Sequence, residues 1–390
     1  MLTNPLFLFT MVWLGSIFLF ELYLSEVLIE ADVALISYLL ASVFFFTIGF
    51  LSIKFQFNCR IRYSIEGLCC TVNSRKYRRF LIVSISLLIA VFLIEGIIFG
   101  GYPLLGLIGI GPIIHYTDFG VRGIHGLFNA LFLTAFALLY LKLLINKKIG
   151  LNLKTLLLII LIAWPLFSLS RQLMFTLIIE ILMLTLLVSK HQVSFKNFLK
   201  ITSFVFILIF LFGYLGDLRS GRDAFLVLAQ PTFEYPDWLP SGLMWVYIYI
   251  VSPINNLAFN FNFIEPNYLP INTLTSYFPS FLREGMLEVF GGNSYHWKLI
   301  NENLNVSTFH EKILLDFGPY FAQLVFFIFG MVCAYFYLYR YKSIFHLIAL
   351  IVLLHGIFFS FFVDFIFNLV FFAQIVIAYI FLKRLKIQNV

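Results

Sequence analysis

The sequence is dominated by uninterrupted apolar segments, each close to the length that crosses a bilayer. A helix that spans roughly 30 Å of hydrocarbon needs about 20 consecutive apolar residues. Ten segments approach or reach that length, which predicts an all-α polytopic membrane protein with about ten transmembrane helices. The segments run from Pro5 to Leu24, Val33 to Ile53, Phe80 to Phe99, Ile124 to Ile145, Thr155 to Leu169, Leu173 to Val188, Ile201 to Leu215, Ile313 to Tyr339, Ile344 to Phe362 and Ile366 to Leu382.

The composition excludes an ordinary soluble domain, because 62% of the residues are hydrophobic, 12% are charged and the mean hydropathy is +0.98. The fifth and sixth segments are short and only three residues apart, Arg171 among them, so we expect a tight helical hairpin. An eleventh run, Leu243 to Val251, stops just before Pro253. It is too short to span, and we expect an interfacial or re-entrant helix there.

Basic residues concentrate in alternate loops. The segment from Lys54 to Arg79 holds seven Lys and Arg against one acid, Glu66, and cytoplasmic loops carry such an excess. Alternation from this loop assigns about 19 of the 26 basic residues to the cytoplasm, which predicts that both termini lie inside. The first span lacks a following cleavage site, so we expect a retained signal anchor. Because this positive charge sets orientation, the net charge of +7 does not indicate a nucleic-acid partner.

One loop dominates the outer side, between the seventh and eighth spans. It extends over residues 217–312, about 95 residues, which is long for a structureless connection. We therefore expect this loop to fold as a cap with short amphipathic helices. The remaining sequence shows no internal repeat and no domain boundary, which predicts a single integral membrane domain over residues 1–390.

Arginine is enriched among the basic residues of the outer side, and arginine binds phosphate or carboxylate through two parallel hydrogen bonds. Arg219 and Arg222 are three residues apart where the seventh span ends, so on a helix their side chains share a face. Together they would form a clamp for a diphosphate. Arg171, on the neighbouring hairpin, is placed to join this clamp. Charge balance by neighbouring acids and snorkelling to lipid headgroups are the alternatives. The outer basic residues are Arg122, Arg171, Arg219, Arg222, Arg283, Lys298 and Lys312.

Two titratable residues directly precede the eighth span. His310 and Glu311 are expected at the membrane surface, where either could act as a general base. A surface histidine that caps a helix is the alternative for His310. His115 and His296 are weaker candidates.

Few polar residues lie within the predicted spans, and such residues are costly in lipid and often functional. They are Glu95, Glu180 and His355, with Asp364 near an outer end. Glu180 and His355 lie near mid-span. A proton pathway and an interhelical hydrogen bond are the two alternative roles for them. The four cysteines and the outer acids lack metal-ligand spacing, and there is no Walker loop, so we expect neither a metal nor another cofactor.

The layout of spans, the arginines that follow the seventh span, the aromatic outer loop and the run Thr308-Phe309-His310-(x5)-Asp316-Phe317-Gly318 resemble the Wzy O-antigen polymerases, the oligosaccharide repeat-unit polymerase family. The resemblance covers most of the chain. It implies a bacterial inner-membrane glycosyltransferase of the GT-C type, with its active site facing the periplasm. In such enzymes the growing glycan leaves undecaprenyl diphosphate and joins the non-reducing end of a new undecaprenyl-diphosphate-linked repeat unit.

The resemblance also suggests roles for the outer residues. Arg171, Arg219 and Arg222 are assigned to the leaving diphosphate, because preorganised cations stabilise a departing anion. Arg283 and Arg122 are assigned to the same diphosphate or to that of the second lipid. The base is then His310 or Glu311. The implied partners are membrane lipids, a chain-length regulator and a flippase.

Two other functions share parts of this pattern. A flippase or transporter of the lipid-linked oligosaccharide typically has internal repeats and polar residues along several spans. This sequence shows neither, which favours the enzyme. An O-antigen ligase shares both the architecture and the outer arginines, so the sequence separates ligase from polymerase only weakly.

Overall fold

A computed structural model describes most of the chain. The described residues are 2–56, 71–72, 74–116, 118–145, 162–188, 222–290, 297–302, 304–383 and 385, with single positions at 203, 207, 210, 214 and 217. For residues 171 and 224 only the backbone is described. Within these ranges the regular structure is helical, and the one β contact is an isolated bridge between Ser25 and Pro231.

The helices named in these ranges are numbered in chain order. Five of them, α2, α3, α5, α8 and α11, are long and apolar enough to cross a membrane, and α1, α6, α12 and α13 are shorter apolar helices. The chain is therefore a membrane-embedded helical protein. The helices are α1 Pro5–Phe20, α2 Val33–Gln56, α3 Arg75–Ile98, α4 Pro103–Leu107, α5 Ile124–Ile145, α6 Arg171–Val188, α7 Arg222–Ala229, α8 Gly242–Phe261, α9 Ile271–Thr275, α10 Ser280–Phe290, α11 His310–Leu338, α12 Ile344–Phe359 and α13 Leu369–Leu382.

Eight of the predicted spans coincide with helices α1, α2, α3, α5, α6, α11, α12 and α13. The fifth is described only at its end, where residues 162–167 are helical. The seventh, Ile201 to Leu215, lies outside the described residues apart from helical positions 203, 207, 210 and 214. The total of ten spans and their orientation stay predictions.

The eleventh apolar run is longer than the sequence indicated. We expected it to end before Pro253 and to be too short to span, but α8 continues through this proline to Phe261 and is long and apolar enough to cross a membrane. Three asparagines stabilise its second half: Asn255 bonds the backbone of Ile29 and Val27, while Asn256 and Asn260 bond the backbone between residues 298 and 306. These side-chain hydrogen bonds offset the cost of about 3 kcal/mol that proline imposes inside a helix.

Helices α2 and α11 pack with their backbones in close approach at two glycines. A Cβ atom at Gly330 would lie 2.2 Å from the Phe46 carbonyl oxygen, and one at Gly49 would overlap the Phe327 carbonyl oxygen. Helices in lipid gain stability from such close packing, because small residues allow extensive van der Waals contact.

We expect Gly330→Ala to lower the thermal unfolding temperature of the purified protein in detergent. Alanine has a higher helix propensity than glycine by about 1 kcal/mol, so a loss of stability must come from the overlap with Phe46, which costs about 1–3 kcal/mol. Gly15→Ala in α1 is the matched control, since no atom lies within 4 Å of its Cβ position. Equal unfolding temperatures for the two variants would contradict the packing argument.

Candidate functional site

Parts of residues 222–309 contact the ends of several bundle helices, and we call that end of the bundle the cap end. A Cβ atom at Gly123, just before α5, would meet Pro279 and Phe281, so this part of the cap packs on the start of α5. The backbone N–H of Phe309 donates to the carbonyl oxygen of Ser360 at the end of α12 over 3.1 Å. The starts of α5 and α11 and the end of α12 therefore meet the cap at the same place.

A buried carboxylate lies at the centre of this region. Asp364, in the link between α12 and α13, has its Oδ2 2.7 Å from the Lys312 Nζ, and its Oδ1 accepts the backbone N–H of Phe367 over 2.8 Å. The same Lys312 ammonium donates to the Phe367 carbonyl oxygen over 2.9 Å. Lys312 and Asp364 thus form a fixed ion pair, and their charges interact with the neighbouring titratable side chains.

Arg283, on α10, is the second cation of this cluster. Burial lowers the pKa of the Arg283 guanidinium, and the nearby carboxylate of Asp364 opposes that effect. Its Nη2 reaches two carbonyl oxygens, those of Ser276 and Phe278, at 3.5 Å, which is the limit for a hydrogen bond. Its Nε is buried and has no hydrogen-bond partner among the described residues. Within the described structure the guanidinium therefore makes few and long hydrogen bonds, and its charge is available to an oxyanion that reaches its exposed side.

Arg122 lies at the same corner of the bundle. It directly precedes Gly123, which packs against Pro279 and Phe281, and its side chain is exposed. Within the described part of the chain no carboxylate pairs with it. Arg122 and Arg283 thus come from distant parts of the sequence to one end of the fold, and both have free donors.

Glu311, at the start of α11 and next to Lys312, also belongs to this cluster. It is partly exposed, and it lies near Lys312, Asp364 and the hydroxyl of Ser307. A carboxylate that lies beside a lysine ammonium and is only partly buried can accept a proton from a bound hydroxyl group.

His310 was expected at the membrane surface, and the structure buries it completely. Its Nδ1 is 2.9 Å from the Tyr38 hydroxyl, and the rings of Trp13, Phe309 and Phe326 lie within 4.3–4.7 Å between centroids. The cause is the direction of this residue on α11, which points between α1 and α2. A histidine enclosed in this way cannot reach a substrate hydroxyl at the cap end.

Arg222 also differs from its expected role. Its guanidinium is hydrogen-bonded to the loop that follows α7. The Nη1 donates to the Asp237 carbonyl oxygen at 2.9 Å and to the Asp237 Oδ1 at 3.0 Å. The Nη2 donates to the carbonyl oxygens of Tyr235 and Pro236. The Tyr235 ring lies 5.6 Å from the guanidinium carbon. This arginine holds residues 235–237 in place, so a clamp on a diphosphate would require those hydrogen bonds to break.

The other proposed members of the clamp cannot be compared with the structure. Arg219 lies outside the described residues, as does His296, the weaker candidate for a base. The backbone of Arg171 begins α6, but its side chain is not described. Their assignment to a diphosphate stays a prediction.

A buried aspartate connects the cap to the bundle. Asp316, on α11, accepts the backbone N–H and the side-chain amide of Asn272 over 2.8 and 2.9 Å. It also accepts the backbone N–H and the hydroxyl of Thr273 over 2.8 and 2.7 Å. Two residues later the helix kinks at Gly318, whose φ of 64° favours glycine. Asp316 therefore fixes the start of α9, the segment that leads to Arg283.

Tyr277 covers the cluster on the side of α13. Its ring centroid lies 4.6 Å from that of Phe372 and 6.1 Å from that of Phe367. Burial raises the pKa of the Tyr277 hydroxyl well above its ordinary range, and the Asp364 carboxylate raises it further. Tyr277 therefore stays a neutral hydroxyl beside the charged groups.

No protein-family profile, curated protein or solved structure matches this chain. The described residues contain no group of three or more His, Cys, Asp or Glu side chains that could hold a metal ion.

The polar residues of the predicted spans form one pair and one group of three, each between neighbouring helices. Glu95 lies 3.0 Å from the His125 Nδ1, a partner that the sequence analysis did not identify. The Glu180 carboxylate accepts a hydrogen bond from the Gln374 side-chain amide over 3.0 Å. The same carboxylate lies 3.3 Å from the His355 Nδ1, but the geometry is not that of a hydrogen bond. Both contacts join neighbouring helices. They therefore favour interhelical hydrogen bonding over a continuous proton pathway.

Proposed function

We propose that the chain is a polysaccharide repeat-unit polymerase, a glycosyltransferase of the bacterial inner membrane whose active site lies at the cap end, facing the periplasm. One observation supports this proposal best. Arg283 and Lys312 lie with the carboxylates of Glu311 and Asp364 at one end of an apolar helix bundle, and Gly123, the neighbour of Arg122, packs on the segment that precedes Arg283. Cations at headgroup depth fit a lipid diphosphate, and a partly exposed carboxylate beside them fits a general base.

The transfer then proceeds by displacement at the sugar. A hydroxyl oxygen of the acceptor repeat unit attacks the anomeric carbon that links the donor glycan to its lipid diphosphate. The bond between this carbon and the diphosphate oxygen breaks, and the undecaprenyl diphosphate leaves with the bonding electrons. Arg283 and Arg122 stabilise the negative charge that develops on the leaving oxygen.

The hydroxyl proton passes to a carboxylate, and Glu311 takes this role in place of His310. Glu311 is partly exposed at the cluster, whereas His310 is enclosed by aromatic rings. Lys312 keeps Asp364 paired, so Asp364 is the weaker acceptor for the proton. Arg219 and Arg171 remain part of the proposal as further ligands of the diphosphate.

Deletion of the gene in its bacterial host, followed by electrophoresis of the lipopolysaccharide, tests the reaction class. A polymerase is expected to leave core capped with a single repeat unit and to lose the ladder of longer chains. Loss of every repeat unit would instead indicate a ligase or a flippase. An unchanged ladder would rule out all three functions.

A further inference from the structure

An apolar groove runs along the outside of the bundle between α3, α5 and α13. Its volume is about 310 Å³. Several lining residues are exposed, Leu87 to 45% and Leu127 to 43%, so the groove is open to the surrounding lipid. Its floor and walls include Phe80, Leu87, Leu127, Leu131, Ile377 and Phe381.

One end of the groove lies next to the cap-end cluster. Leu127 is in the first turn of α5, five residues after the exposed Arg122, and its N–H bonds the Gly123 carbonyl oxygen over 3.4 Å. Gly123 is packed against Pro279 and Phe281, which precede Arg283. From Leu127 the groove continues to Phe381, in the last turn of α13. Free cationic donors thus border the end of a long hydrocarbon-binding surface.

We propose that this groove holds part of the isoprenoid chain of the lipid-linked donor, whose diphosphate lies against Arg122 and Arg283. The inference rests on the proposed function and assigns the donor side of that site. It places the reacting sugar beyond the diphosphate, on the side of the cluster where Glu311 lies.

The charges at the end of the groove select the occupant. A lipid tail gains little binding free energy by moving from the bilayer to apolar side chains, because both surroundings are equally hydrophobic. The groove therefore contributes mainly van der Waals packing. A diphosphate gains charge-assisted hydrogen bonds from the exposed guanidinium of Arg122, and the half-buried Arg283 adds positive charge. A branched isoprenoid chain also packs against the Phe80, Phe128 and Phe381 rings more closely than against fluid lipid.

Photolabelling of the full-length protein in phosphatidylcholine nanodiscs tests this assignment. The probe is a polyprenyl diphosphate that carries a diazirine on its chain, and labelled peptides are identified by mass spectrometry. We expect labels on α3, α5 and α13 within the groove. Leu87→Trp fills the groove and should lower labelling roughly tenfold, whereas Leu93→Trp, equally lipid-exposed on α3 but outside the groove, should not.

Competition distinguishes the sources of the ligand. Excess unlabelled polyprenyl diphosphate should abolish labelling, while phosphatidylglycerol should not, and Arg122→Ala should weaken labelling. Equal competition by phosphatidylglycerol, or full labelling of Leu87→Trp, would overturn the assignment. Labelling requires no glycosyl transfer, so a protein that labels as expected but whose deletion leaves the polysaccharide ladder intact would refute the polymerase and keep the groove.

Discussion

Arg283→Ala is expected to abolish the polysaccharide ladder while the protein remains folded in the membrane. The guanidinium is half-buried, its hydrogen bonds to the Ser276 and Phe278 carbonyl oxygens are long, and its Nε has no partner in the described structure. Few internal contacts are therefore lost with this side chain. What is lost is a preorganised cation at the leaving group, and removal of one such donor costs roughly 100- to 1000-fold in turnover.

Two further variants show whether the loss is chemical. Arg283→Lys keeps the charge but not the bidentate geometry, so we expect intermediate chain formation. Lys298→Ala removes another cap cation, one that lies over the Phe263 ring outside the cluster, and should leave the ladder unchanged. Size-exclusion elution of each purified variant reports folding. A normal ladder from Arg283→Ala would remove this residue from the mechanism.

The apolar pattern predicted most of the helices but not the direction of single side chains. His310 and Glu311 are adjacent and both titratable, and consecutive residues of a helix point about 100° apart. Which of them faces the aromatic rings of Trp13 and Phe326 depends on how α11 packs against α1 and α2, and the sequence of α11 does not contain that information.

The arginines show a similar limit. Arg222 and Arg283 both lie beside an acid and outside a predicted span, and from the sequence we assigned each of them to a diphosphate. The difference arises from a tertiary contact, because the carbonyl groups of residues 235–237 fold over Arg222 and no comparable loop covers Arg283 in the described structure. Likewise, α8 passes Pro253 because asparagines on its second half find backbone partners far away in the sequence.

Asp316→Ala is expected to detach α9 from the bundle and to destabilise the cap. The carboxylate is completely buried and accepts four hydrogen bonds from Asn272 and Thr273. Its removal leaves these donors unsatisfied inside the protein, at a cost on the order of 3 kcal/mol or more. Asp316→Asn keeps the shape but turns one acceptor into a donor that faces other donors, so it should lose a large part of the same stability.

Hydrogen exchange followed by mass spectrometry measures this effect locally. The amides of Asn272 and Thr273 donate directly to Asp316, so their exchange should accelerate in both variants, with a smaller change in α12, which is buried from Ile344 to Ile357. Glu288→Gln, an exposed carboxylate on α10, is the matched control and should exchange normally. Because α9 leads through Tyr277 to Arg283, its release should also lower turnover in proportion to the fraction of protein with a detached cap. Unchanged exchange at Asn272 and Thr273 would show that other contacts hold the cap, and the position of Arg283 would then need a different explanation.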